Sequence, residues 1–91
     1  MAMTAVWFKI DEKHFVQALQ EAGRKLGSVE NELILDFSSV GRIDPSALSA
    51  MESFVGLADT KGVKVVLRGV SVSVYKVFKL LALASRFSFD T

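Results

Sequence analysis

Hydrophobic positions along this chain switch repeatedly between a period of two and a period near 3.6, the pattern of strands alternating with helices in an α/β domain. Val6, Phe8 and Ile10 alternate with Trp7 and Lys9 and predict a first strand. Asp11 is suited to capping a helix whose apolar stripe is Phe15, Ala18, Leu19, Ala22 and Leu26 and which Gly27 ends. Acidic residues at its start (Asp11, Glu12) and basic ones at its end (Arg24, Lys25) suit the helix dipole, and Ile10 is placed to staple Phe15. Leu33 to Phe37 predicts the second strand. A loop through Ser38, Ser39 and Gly41 then leads to a helix beginning at Asp44-Pro45, with Asp as cap and Pro in the first helical position. Ile43 and Leu48 repeat the staple, and Leu48, Met51, Phe54, Val55 and Ala58 form a stripe closed by Gly62. Val63 to Arg68 is the third strand. Ser71 caps a third helix with core face Val74, Val77, Phe78 and Leu81, Val70 and Tyr75 as its staple, and Lys76 and Lys79 outward. Arg86 to Asp90 alternates again as a short last strand.

Because side chains two apart share a strand face, the alternation also predicts the layers. One face collects Val6, Phe8, Ile10, Leu33, Leu35, Phe37, Val63, Val65, Leu67, Phe87 and Phe89, all apolar, and needs a cover of helices. The other is mixed: Trp7, Lys9, Ile34, Asp36, Lys64, Val66, Arg68, Arg86, Ser88 and Asp90. Strands buried on both faces would instead read as continuous hydrophobic runs. The expectation is a single two-layer α/β domain over residues 1–91, with a mainly parallel four-stranded sheet in sequential order and three helices on one face. On the open face Trp7, Ile34 and Val66 make a small apolar patch suited to a homodimer contact, although scattered exposed apolar residues are also ordinary on monomers.

Composition narrows the function classes. With 91 residues, 51% hydrophobic and 23% charged, the chain belongs among folded globular proteins and has room for about one core. The net charge of +1 hides a division: residues 1–60 carry five basic and nine acidic side chains, whereas residues 61–91 carry six basic and one acidic. The basic group of Lys64, Arg68, Lys76 and Lys79 is compatible with an acidic partner, DNA or an anionic surface, but solvated lysines on a helix's polar face explain it as well, and no nucleic-acid partner is expected. There is no Cys, which excludes disulfides and thiolate chemistry, and the one histidine, His14, cannot build a metal site. No signal peptide and no apolar run long enough to span a membrane is present, and the reading is a cytoplasmic protein.

Enzyme readings fare poorly, since a strong nucleophile, a glycine-rich phosphate loop and clustered metal ligands are all missing, so neither catalytic residues nor a cofactor is expected. His14, in a first helical turn beside Phe15, reads as a solvated or capping residue. Asp36 near a strand end and Asp44 at a helix start lie where α/β folds place functional groups. Each also has a plain structural role, Asp44 as an N-cap and Asp36 as the polar member of an alternating strand.

The segment Leu33-Ile34-Leu35-Asp36-Phe37-Ser38-Ser39-Val40-Gly41-Arg42-Ile43-Asp44-Pro45-Ser46-Ala47-Leu48 resembles the STAS family, small domains that include anti-sigma factor antagonists and sulfate-transporter tails. The family pattern is an apolar strand with Asp, a short loop, then Asp-Ser-Ser/Thr-Gly-Leu. Gly62 to Ser71 resembles its next strand and loop, and Val74 to Leu83 its final helix; the likeness covers roughly residues 29–89. The resemblance implies the fold already read from the alternation, and a protein-binding role carried by the loop and helix start at residues 41–48. Arg42, Asp44, Pro45, Ser46 and Leu48 are then the partner-binding candidates.

In the phosphoswitch branch of the family, a kinase that is itself the anti-sigma factor phosphorylates the Ser just after the Asp. Here that residue is Pro45, which has no hydroxyl, and Ser46 is the local substitute. Ser46 is equally readable as a small polar residue in a first helical turn. Ala47 replaces the family Gly, adding a Cβ where a partner would approach. The resemblance also implies an alternative, since small STAS proteins occur as accessory subunits bound to the ATPase of lipid-transport ABC systems. Val70-Ser71 through Tyr75 to Leu80 would suit that use.

Overall fold

A computed structural model describes residues 5–28 and 32–90. Strands β1 (Ala5–Lys9), β2 (Glu32–Asp36), β3 (Lys64–Arg68) and β4 (Ser88–Asp90) alternate with helices α1 (Phe15–Lys25), α2 (Pro45–Lys61) and α3 (Val72–Leu80). All neighbouring strands are parallel and lie in the order β1-β2-β3-β4, so the sheet follows the chain without a switch of direction. A parallel neighbour requires a crossover, and each helix supplies one.

Inward residues of the two central strands are the heart of the core. Leu33, Leu35 and Leu67 are fully enclosed, together with Ile10, Phe37, Met51 and Phe78. Phe37 joins the layers, meeting the ring of Phe15 edge-on at 5.5 Å and that of Phe78 at 6.3 Å. Val6, Phe8 and Phe89 also point toward the helices but are only partly buried, since β1 and β4 each have a neighbour on one side only.

Several expectations are corrected. The first helix does not run from Asp11 to Gly27 as one α-helix. The Asp11 carboxylate accepts the N–H of Lys13, only two residues on, and Glu12–His14 form a 3-10 turn before α1; a second such turn, Leu26–Ser28, follows it. At the other end of the chain Leu81, assigned to the core, is 48% exposed, and Leu83 takes its place at 7%. Ala82 adopts a left-handed conformation, φ 58°, and the Leu83 N–H donates to the Phe78 carbonyl at 2.8 Å, a reversal that carries Leu83 inward. The last strand is shorter than Arg86–Asp90 because Ala84–Arg86 form a 3-10 turn and the Arg86 guanidinium pairs with Asp59 of α2. Tyr75 packs edge-on against Phe89 at 5.0 Å. Val66 belongs to the sheet face without helices, yet it is only 9% exposed.

Candidate partner-binding site at the start of the second helix

The segment between β2 and α2 leaves the carboxyl end of the sheet and is fixed at every step by short-range chemistry. The Asp36 carboxylate accepts the N–H of Ser38 at 2.9 Å, turning the chain as it leaves the strand. Phe37 donates its N–H to the Arg68 carbonyl at 2.7 Å, and Val40, itself buried, donates to the Phe37 carbonyl at 2.9 Å. Next, the Glu12 carboxylate reaches across from the turn before α1 and accepts the N–H groups of Gly41 (2.7 Å) and Arg42 (3.1 Å) through one oxygen, Oε1. Asp44 then caps α2, accepting the N–H of Ala47 at 2.8 Å, and Pro45 occupies the first helical position, where a missing N–H costs nothing.

Gly69 supports this loop from the neighbouring turn. Its φ is +72°, and a Cβ there would stand 3.1 to 3.2 Å from Ser38 Cβ, Cα and N. The turn between β3 and α3 thus passes against the loop at a position where a Cβ would be both conformationally strained and crowded by Ser38.

Of the residues expected to meet a partner, Arg42, Asp44, Pro45 and Ser46 are exposed and adjacent. Leu48 is half-buried and packs against the core, and Ala47 is buried. Glu12, Phe15, Arg42, Ile43, Asp44 and Ala47 line a cleft of about 240 Å³ at the helix start. Beyond it Ser46, Ser49 and Ser53 form one wall of a groove of about 760 Å³ between α1 and α2, with Val16 and Leu57 among its exposed residues.

The Ser38 backbone N–H, then the Ser38 side chain, and more weakly the charges of Lys9 and Arg68, hold the Asp36 carboxyl below the ordinary range. His14 lies exposed with Nδ1 3.5 Å from an Asp11 carboxylate oxygen. The basic residues do not form one patch: Lys64 and Arg68 alternate onto the open sheet face, whereas Lys76 and Lys79 sit on α3 in the helix layer. Among the described residues no group of three potential metal ligands comes together, and no helix is long and apolar enough to cross a membrane.

Sequence reading did not find Glu12 or Gly69. Glu12 looked like an acid favoured by the helix dipole, and its real partners lie 29 and 30 residues away. Gly69 carries a signal only in part, as a glycine after a strand; the obstacle beside it comes from another loop.

A parallel two-layer sheet whose second loop is clamped at an exposed helix start defines a class of small α/β domain. The chain belongs to the STAS domain family, whose model matches residues 4–91. No curated protein matches it significantly. Among solved structures, the protein TM1081, determined by NMR, is similar with a TM-score of 0.76 over 99% of this chain and 76% of that one. The two share 16% sequence identity, so the likeness is one of fold.

Proposed function

We propose that this chain is a non-enzymatic protein-interaction module of the anti-sigma factor antagonist type, which meets its partner through the loop and helix start at residues 41–48. The observation that carries the reading is the Glu12 clamp. It holds Gly41 and Arg42 in place while leaving Arg42, Asp44, Pro45 and Ser46 exposed, so a partner meets a surface already ordered and less conformational entropy is lost on binding. Pro45 adds to that rigidity. Its ring also removes the hydroxyl at the family's phosphoacceptor position, leaving exposed Ser46 as the residue a partner kinase would modify. A phosphate there would sit in the first turn of α2, where the helix dipole favours negative charge, so modification would block the partner surface without melting the helix.

One observation favours a second reading, an accessory subunit bound to an ABC ATPase. Val72 and Leu80 on α3 are 70% and 85% exposed, and Tyr75 lies between them along the helix. Affinity capture from the native cell, with wild type, Ser46→Arg and Leu80→Glu compared, separates the two. A histidine-kinase-like ATPase lost with Ser46→Arg supports the antagonist reading, and an ABC ATPase lost with Leu80→Glu supports the other. Incubating the captured kinase with ATP and locating phosphate by mass spectrometry tests Ser46; an unmodified Ser46 rejects the switch.

A further inference from the structure

The open face of the sheet has a charge arrangement that neither reading of the helices uses. On this face β2 presents Glu32, Ile34 and Asp36, and β3 presents Lys64, Val66 and Arg68, in register: Glu32 beside Lys64, Ile34 beside Val66, Asp36 beside Arg68. One central strand is thus acid, apolar, acid, and the other base, apolar, base. The middle row extends to both edges as Trp7, Ile34, Val66, Ser88.

The line between β2 and β3 is also the midline of a four-stranded sheet. A two-fold axis parallel to that line, lying between two such faces, sets β2 of one copy over β3 of the other. Every position then meets its opposite. By strand position Glu32 lies opposite Lys64 and Asp36 opposite Arg68 at the two ends, Ile34 opposite Val66 in the middle, and Trp7 opposite Ser88 at the edges. Apolar residues occupy the centre and charges the rim, as in protein interfaces generally, and a two-fold contact needs this kind of self-complementarity. Face-to-face sheets pack within about 30° of parallel, so the required alignment is an ordinary one.

Trp7 and Arg68 already lie in the posture such packing needs. The Arg68 guanidinium lies over the Trp7 ring, 5.0 Å from its centre, so side chains of β3 and β1 meet across the intervening β2. Trp7 nevertheless remains 50% exposed.

We propose that this face is a site of self-association, and that its occupant is a second copy of this chain packed back to back about a two-fold axis along the β2–β3 midline. The proposal is independent of the helix-start reading, which concerns the loop beyond the sheet's carboxyl end. Three strands of five residues and one of three give a face about 19 Å wide and at most about 16 Å long, somewhat under ~300 Å² per copy. That is below the ~800 Å² per partner of a standard stable interface, so the dimer is weak and depends on salt.

Trp7 is the chain's one tryptophan, so its fluorescence reports on this face alone. Sedimentation velocity of the wild-type chain between 5 μM and 1 mM at 50 mM NaCl is expected to show a monomer–dimer equilibrium. Trp7 emission should shift to the blue with the same midpoint, and 500 mM NaCl should weaken association at least threefold. Glu32→Lys leaves both central strands basic and Lys64→Glu makes both acidic at that level. Each variant alone should associate at least tenfold more weakly, whereas an equimolar mixture should recover dimers. A chain that stays monomeric throughout, a dimer that leaves Trp7 emission unchanged, or a mixture that fails to recover association overturns the proposal. Should either variant not fold, as judged by circular dichroism, the concentration and salt dependence of wild-type Trp7 emission still decides it.

Discussion

The carboxylate of Glu12 accepts the N–H of Gly41 at 2.7 Å, joining the turn before α1 to the loop before α2 across 29 residues of sequence. With its second bond to Arg42, this contact fixes the exposed side of the loop, while buried Val40 fixes the inner side. Removing it should therefore loosen the loop more than it weakens the fold. Glu12→Ala is expected to speed amide exchange at Gly41 and Arg42 tenfold or more, while global unfolding free energy falls by about 1 kcal/mol. Exchange measured by NMR, beside urea denaturation, checks both halves.

Two left-handed positions make a reciprocal test of backbone strain. Gly69 has φ +72° with Ser38 backbone against it, whereas Gly62, φ +69°, has open space around its missing Cβ. Gly62→Ala should cost about 1 kcal/mol from conformation alone, and Gly69→Ala about 2–3 kcal/mol because the loop must also move. Ala82, φ 58°, is the converse case, and Ala82→Gly should stabilise by about 0.5–1 kcal/mol. Chemical denaturation midpoints rank the three.

Acid should weaken the domain through Asp36 and Asp11. Both carboxyls are held below their ordinary value of 3.8, Asp36 first by the Ser38 N–H and Asp11 first by the Lys13 N–H. A folded-state pKa below the unfolded one gives stabilisation that is complete above the unfolded value and disappears as pH falls through the folded value. The stabilisation from these two carboxyls should thus be complete between about pH 7 and 5 and be lost progressively below about pH 4. Asp36→Asn keeps an acceptor for Ser38 but does not titrate, so its loss of stability between pH 5 and 2.5 should be smaller than that of wild type in urea melts.

Phe37 is fully buried and touches the rings of both Phe15 and Phe78, which belong to helices at opposite ends of the chain. Phe37→Ala should cost about 3–5 kcal/mol, a large share of the stability of a domain this small. Asp44→Ala should cost only about 1 kcal/mol, and Asp44→Ser less, because serine still caps the helix. Asp44→Ser is accordingly the variant with which to ask whether Asp44 contacts a partner apart from its role as a cap.

Local physics was written plainly in the sequence. The Asp44-Pro45 start, the Ser71 cap and the Gly62 stop each depend on a few neighbouring residues, and each stands where the pattern places it. The apolar and mixed sheet faces followed from period two, and with them the two layers. What the sequence determined was which residues prefer to be together on one element. Tertiary structure decided which elements face each other. Glu12 on Gly41, Gly69 against Ser38, Arg68 over Trp7 and Leu83 in place of Leu81 all depend on register and turn geometry, which bring residues distant in the chain within a few ångströms. A single side chain's preference is set by its own few bonds, but the partner it meets is set by how the whole sheet aligns its strands.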